Sequence, residues 1–300
     1  MPDFQPLTPA QTSLILETHA PDCRFCDKTP GNLAMWAHQL DTHFACVCGC
    51  LLLRSRWDGR LVYSAPAGTG DFSAALDAAA ADARALGESL AFASLTAGEA
   101  DRIAAHFEGS ERITDDGWYD YLYAAEPLTT LAGRAYHGPR NHVNRFCATY
   151  PNYSYSPLTL TDLDAVCEFF ARQRVAADDG TASAAAEADA AADMLALYPA
   201  LLDAGAPLCG GVLRVGGEIA GFSIGEVVDD TLYVHIEKGN TAFTGVYPML
   251  VREFARMAGG GVGFINREED DGNPGLRRSK LAYRPVAQLE KFMLLCPDAR

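Results

Sequence analysis

The sequence predicts a mixed α/β (α+β) fold built twice in tandem, and three observations carry that expectation. Residues 4–8 read FQPLT and residues 155–159 read YSPLT, one aromatic-x-Pro-Leu-Thr signature repeated about half the 300-residue length apart. Each copy opens a helical pattern behind a threonine suited to the N-cap: Thr8 leads to Leu14 and Ile15, and Thr159 to Leu163, Val166, Phe169 and Phe170. Behind each copy, short apolar segments alternate with segments of helical period.

The elements follow in order. In the first half RLVYSAP reads as a strand, DFSAALDAAAADARAL as an amphipathic helix, SLAFASL as a strand, AGEADRIAAHF as a helix and WYDYLYA as a strand. In the second, GGVLRV, EIAGFSIGEVV and TLYVHIEK are strands separated by Gly-Gly and Asp-Asp turns. The helix VYPMLVREFARMA, the strand VGFIN, the helix PGLRRSKLAY and one closing strand QLEKFMLL complete it. An antiparallel meander feeding a strand-helix-strand-helix-strand tail is the order of the GNAT acyltransferase fold, so the expectation is two GNAT-like domains. The first spans residues 1–130 and the second, with the site, residues 155–300; residues 131–154 form a basic linking helix interrupted near Gly138-Pro139. The Ala-rich stretch from Val175 to Leu197 reads as a helical insertion with Glu187, Asp189 and Asp193 on a polar face.

With 49% hydrophobic and 21% charged residues the chain reads as an ordinary globular protein. A net charge of -15 and a pI near 4.8 oppose sequence-blind binding of DNA, RNA or an anionic membrane, so an anion must be met by a local cationic patch. The N-terminus lacks a secretory pattern, and no apolar run approaches the roughly 20 residues of a membrane span, which predicts a cytoplasmic protein. Nine cysteines, an odd number, agree with reduced thiols. Cys23 and Cys26, followed by His43, Cys46, Cys48 and Cys50, have a zinc-like spacing; the competing reading places the last three as small packing residues on one face of a single strand, with no metal.

Chemistry concentrates in the second half. Along TLYVHIEK, alternation puts Tyr233, His235 and Glu237 on one face, where His235 could serve as a general base oriented by Glu237. Two hydrogen-bonded structural residues would read the same way. The strands flanking VYPMLVREFARMA should pair in parallel, bringing Asn266, Arg267, Glu268, Glu269 and Asp270 to the strand end beside them. Asn273 and Pro274 then start a helix on which Arg277, Lys280 and Arg284 form a cationic stripe near the positive helix end. That stripe could hold a phosphate, or it could neutralise the neighbouring carboxylates. A second cationic cluster is Arg134, His137, Arg140, His142 and Arg145.

Three stretches carry a resemblance: DYLYAAEPLTTLAGRAYHGPRNHVNRF, VHIEKGNTAFTGVYPMLVREF and INREEDDGNPGLRRSKLAYRP. In these the chain resembles bacterial tandem-GNAT proteins similar to the C-terminal domain of phosphatidylglycerol lysyltransferase, over most of its length from Asn32 onward. The resemblance implies transfer of an aminoacyl group from aminoacyl-tRNA, onto a lipid hydroxyl in the lysyltransferases and onto an amine in the Fem-type peptidoglycan enzymes. The lysyltransferases carry a membrane-spanning region that this sequence does not show, which argues for a different acceptor. A coenzyme A-dependent member needs a Gly-rich pyrophosphate turn, whereas Asn240 to Tyr247 offers Gly245 alone, so coenzyme A is disfavoured.

The expectation is therefore a cytosolic aminoacyl or acyl transferase with a tRNA ester as donor and a small amine or hydroxyl as acceptor. Glu237, or Glu268 to Asp270, would take the nucleophile's proton, with His235 beside them; Lys280 or Arg277 would stabilise the carbonyl oxygen. The candidate binding set is Arg140, Asn141, Arg145, Lys238, Asn266, Arg267, Glu269, Arg277 and Tyr283. The alternatives are a coenzyme A-dependent N-acetyltransferase and a non-catalytic module binding an anionic metabolite.

Overall fold

The computed structural model describes residues 2–177 and 182–297. The chain begins with β1 (Gln5–Pro6), α1 (Thr12–Thr18) and α2 (Pro30–Trp36), then the meander β2 (His43–Val47), β3 (Cys50–Trp57) and β4 (Arg60–Tyr63). Helix α3 (Phe72–Leu86), β5 (Ala91–Leu95), α4 (Ala97–His106), β6 (Glu111–Ile113) and β7 (Asp120–Ala124) follow. The connection contains α5 (Ala125–Thr130) and α6 (His137–Thr149). The second copy runs β8 (Tyr153–Pro157), α7 (Leu163–Ala177), α8 (Ala182–Asp203), β9 (Leu208–Val215), β10 (Glu218–Val228) and β11 (Thr231–Gly239). It closes with α9 (Val246–Ala258), β12 (Phe264–Asn266), α10 (Pro274–Leu281), β13 (Ala287–Leu289) and β14 (Phe292–Leu295).

The repeated signature opens each copy in the same way. Gln11 and Asp162 reach back to accept hydrogen bonds from the backbone N–H of Thr8 (2.9 Å) and Thr159 (3.0 Å), fixing the chain where each edge strand turns into helix. The two seven-stranded sheets match place for place: β1-β2-β3-β4-β5-β14-β6 and, from the other end, β8-β9-β10-β11-β12-β7-β13. In both, the fourth and fifth strands are the parallel pair.

Two strands leave the segment that contains them. β7 precedes residue 130 but pairs with β12 and β13 in the second sheet, and β14 at the tail pairs with β5 and β6 in the first. The stretch expected as one closing strand is therefore two strands in different sheets, broken at Glu290-Lys291 where the chain crosses over. This exchange ties the halves through backbone hydrogen bonds rather than side-chain docking alone.

Other local expectations are corrected. FACVCGC is a hairpin and not a single strand: Cys48 (φ 52) and Gly49 (φ 79) form its two-residue turn, leaving Cys46 and Cys48 exposed and Cys50 buried. Gly138 and Pro139 lie in the first turn of α6, where a missing N–H is tolerated, so they start the helix instead of interrupting it. α8 packs Ala190, Met194, Leu195 and Tyr198 into the core. Of its carboxylates, Glu187 pairs with Lys238, Asp189 with Arg174 and Asp193 with Gln39.

One core fills the first sheet against α3 and α4, and the second sheet is covered on both faces. On one face lie α5, α6 and α9, with Val143, Phe146, Met249, Leu250 and Phe254; on the other lie α7, α8 and the first-half helix α2, with Ala34, Met35, Phe169 and Met194. No described helix is long and apolar enough to cross a membrane.

Candidate functional site

A β-bulge decides which charges meet. Gly225 of β10 pairs with Val234 and Ile224 with Ile236, so His235 is an extra residue with no partner opposite. Alternation breaks there: Leu232 and Val234 pack on the α9 face, whereas Ile236 packs on the opposite one. His235 and Glu237 consequently face opposite sides of the sheet, which corrects the expectation that Tyr233, His235 and Glu237 share a face. The parallel ladder to β12 ends at Tyr233–Asn266, while β11 runs on to Gly239. The titratable residues therefore lie where the two strands part.

On the α2 side, His235 is fully buried between two carboxylates, with Nε2 at 2.9 Å from Glu226 and Nδ1 at 2.8 Å from Glu268. Glu226 also accepts from the Gly31 N–H at 2.9 Å, at the start of α2, and Glu268 accepts from Asn32 Nδ2 at 3.0 Å. Burial opposes the charge on His235, but the carboxylates outweigh it and push the imidazole up to about 10. Burial pushes the Glu268 carboxyl upward while His235 pulls it down. With both ring nitrogens held by carboxylates, His235 has no nitrogen open to a substrate proton, and in place of the expected base it joins α2 to the second sheet.

The expected stripe is dispersed for similar reasons. Lys280 is buried, and its ammonium donates to the backbone carbonyls of Arg267 (2.6 Å), Glu268 (3.1 Å) and Glu269. It holds a turn in which Glu268 has φ 56, and its donors are committed, leaving none for an oxyanion. Asp270 accepts from Tyr121 Oη (2.6 Å), from Arg277 Nε (2.8 Å) and from the Gly272 N–H (2.9 Å). Arg277 also grips Asp116 of the first half, so this pair braces the two halves. Arg284 remains exposed.

Between the sheets, the Lys291 ammonium lies 2.7 Å from Asp120, 3.4 Å from Glu269 and 3.5 Å from Cys26 Sγ, and it also pairs with Asp27. Asn266 Nδ2 donates to Asp120 at 2.8 Å. Burial pushes Asp120 up to about 7, with Lys291 opposing and Asp27 and Glu269 assisting. Burial also raises the Cys26 thiol well above its ordinary value. Cys26, Asp27 and Asp120 are spaced to hold a cation, and the ammonium already lies among them. Cys23, by contrast, meets Tyr233 through its carbonyl. Glu226, Asp27, Asp120 and Lys291 are members of this interior that sequence reasoning missed. For Glu226, Asp120 and Lys291 the signal was a lone charge beside apolar runs in FSIGEVV, DYLYA and KFMLL.

The α9 side is different. Arg267 Nη2 pairs with Glu237 Oε2 at 2.6 Å, and the guanidinium lies over Tyr283 at 5.2 Å and Tyr123 at 5.9 Å. Burial pushes Tyr283 up to about 12. Arg267 Nη1 is buried with no hydrogen-bond partner among the described residues. Ser223 stands opposite Glu237 in the ladder and Gly211 opposite Ser223. Tyr155 crosses Gly211 so closely that a Cβ there would lie 2.2 Å from its Oη. Burial raises the Tyr155 phenol, and its side-chain interaction with Ser223 opposes that rise.

The remaining candidates are peripheral. Arg140 braces the carbonyls of Leu131 (2.5 Å) and Gly133 (2.9 Å), Asn141 meets His137, and Lys238 pairs with Glu187. Arg134, Arg145, Arg278 and Arg284 are exposed and make no ion pair among the described residues. A cleft of about 310 Å³ lined by Pro9, Ala34, His38, Thr42, His43 and Asp193 shares no residue with either polar system.

The turn before α9 does not fit a coenzyme A pyrophosphate. The N–H groups of Ala242, Phe243, Thr244 and Val246 already donate to Asn240 Oδ1, the Asn240 carbonyl, Tyr150 Oη and the Phe243 carbonyl. α6 closes over it, leaving only 3.1 Å between a Cβ at Gly245 and the His142 carbonyl.

Among solved structures, a conserved protein of unknown function from Bacteroides thetaiotaomicron VPI-5482 superposes with a TM-score of 0.91 at 32% identity, covering 99% of this chain and 100% of that one. L-PGS from Bacillus licheniformis has the same fold, with a TM-score of 0.65 at 17% identity over 99% and 93% of the two chains. An uncharacterized protein of Mycoplasmoides gallisepticum (strain R(low / passage 15 / clone 2)) is 22% identical over 176 residues, 58% of this chain. That match spans only about half, 55%, of the curated relative. The fold is a tandem acyltransferase (GNAT-like) fold. Because the model of the phosphatidylglycerol lysyltransferase C-terminal region matches residues 24–295, the chain belongs to that family.

Proposed function

We propose that this chain is an aminoacyltransferase that takes its acyl group from an aminoacyl-tRNA ester and delivers it to a small amine or hydroxyl. The single observation supporting this reading is a buried guanidinium N–H, Arg267 Nη1, with no acceptor among the described residues and a half-buried carboxylate, Glu237, on the same guanidinium. Acyl transfer needs those two functions together. Glu237 takes the proton of the attacking amine or hydroxyl as the new bond to the carbonyl carbon forms. Nη1 donates to the carbonyl oxygen while that oxygen carries negative charge, and it is strong there because water is excluded. When the ester C–O bond breaks, the proton passes from Glu237 to the departing ribose hydroxyl, so the carboxylate is regenerated.

The other parts have matching duties. Lys280 and Asn266 hold the Arg267–Glu268 turn from which the guanidinium projects. The exposed Arg134, Arg145, Arg278 and Arg284 offer the local positive surface that the donor's phosphates require in a chain of net charge -15. The test is incubation with a panel of charged tRNAs and a cell metabolite extract, with products read by mass spectrometry. Aminoacylated product from the wild type and none from Arg267→Gln supports the reading. Absence of any product, or undiminished product from the variant, overturns it.

A further inference from the structure

We infer that the cleft where α8 meets the first sheet is a binding site for a small organic cation with an apolar body. Residues of both halves line it: β1 and the turn into β2, the end of α2, and Asp193 and Leu197 of α8. Its volume of about 310 Å³ is that of a pocket for a small molecule. It shares no residue with the Arg267–Glu237 pair, so the inference stands apart from the reaction proposed above.

The lining names the ligand. Leu7, Pro9, Ala37 and Leu197 supply apolar walls, and the titratable residues among them are Asp41, Asp193, His38 and His43, with no Lys or Arg. Asp193 is held in place, since its Oδ2 accepts from Gln39 Nε2 at 2.9 Å and lies 3.3 Å from Nδ1 of the exposed His38. His43 Nδ1 lies 2.9 Å from the Asp41 carbonyl, an oxygen that can only accept. That nitrogen therefore carries the proton, and Nε2 of the neutral ring keeps its lone pair. Arg54, opposite His43 in the ladder, is turned onto Asp82 at 2.8 Å and over the Phe4 ring, so it does not neutralise the cleft. Two carboxylates and a ring acceptor on apolar walls repel an anion and favour an ammonium whose hydrocarbon part lies against Leu7 and Leu197. An occupant touching both halves also stabilises the fold, because it binds only where α8 and the first sheet meet.

The test is calorimetric titration of wild type, Ala37→Leu, Asp41→Asn and Asp193→Asn with tryptamine, tryptophol and indole-3-acetate, which share one ring system and differ in charge. Tryptamine binds the wild type one-to-one, about tenfold more tightly than the alcohol, and the carboxylate binds more weakly still. Each Asn variant keeps the shape of the cleft, and Asn suits the left-handed backbone at residue 41 (φ 46), so the fold is retained. Both weaken tryptamine by about threefold or more and leave tryptophol unchanged, whereas Ala37→Leu, which fills the cleft, weakens both ligands about tenfold. Tryptamine also raises the melting temperature of the wild type and not of Ala37→Leu. Equal binding of amine and alcohol, or no saturable binding of tryptamine, overturns the site. So does tryptamine affinity undiminished in Ala37→Leu, which would place the ammonium elsewhere on this acidic chain.

Discussion

The two faces of the second sheet carry charge in opposite ways. On the α2 side and between the sheets, His235, Lys280 and Lys291 each have their donors engaged by carboxylates or backbone carbonyls from several segments. On the α9 side, Arg267 pairs with Glu237 and keeps a buried N–H, Nη1, without a partner among the described residues. A closed network positions and stabilises, whereas an open one has capacity for a ligand. The more crowded system is the one whose three central cations, His235, Lys280 and Lys291, already have their donors engaged.

The sharpest way to break this comparison is to remove the cation between the sheets. Lys291→Met leaves Asp27, Asp120 and Glu269 without their ammonium and should destabilise the fold by about 3–5 kcal/mol in urea unfolding, with part recovered by adding Asp120→Asn. A loss below about 1 kcal/mol would mean the cluster is not structural.

On the open face the expected effect is on rate. Arg267→Gln should lower transfer by about 10²–10³-fold, the usual cost of losing one oxyanion donor. His235 provides a pH test of the closed face. Its folded pKa of about 10 lies above the ordinary 6.5, so its contribution is complete below pH 6.5 and is lost as pH rises through 10. Wild-type stability should fall over that window, and His235→Gln, less stable at pH 6, should show a flatter profile. A parallel decline in the variant would contradict the assignment.

The smallest effects belong to the surface. Arg145→Ser, Arg278→Ser and Arg284→Ser should each change stability by no more than about 0.5 kcal/mol. Each that meets a phosphate should reduce the salt slope of tRNA binding by about 0.7–0.9, read by titration at several salt concentrations. An unchanged slope in the triple variant would remove these cations from the donor site.

Much of this was legible in the sequence and some of it could not be. The paired Thr-capped openings and the element order disclosed the duplicated fold, because capping and periodicity are local. The meeting of His235 with Glu268 followed from the parallel pairing of β11 and β12. The bulge at His235 did not, because one extra residue in a ladder is a matter of register with β10, and it sent His235 and Glu237 to opposite faces. The exchange of β7 and β14 was equally hidden, since QLEKFMLL reads as one strand until Lys291 is seen as the crossing point.

The most direct test is the rate of aminoacyl transfer from a charged tRNA by wild type and by Arg267→Gln, measured where urea unfolding shows both proteins fully folded. The account predicts a loss of about 100-fold or more in kcat/KM with the fold retained. Equal rates would contradict it.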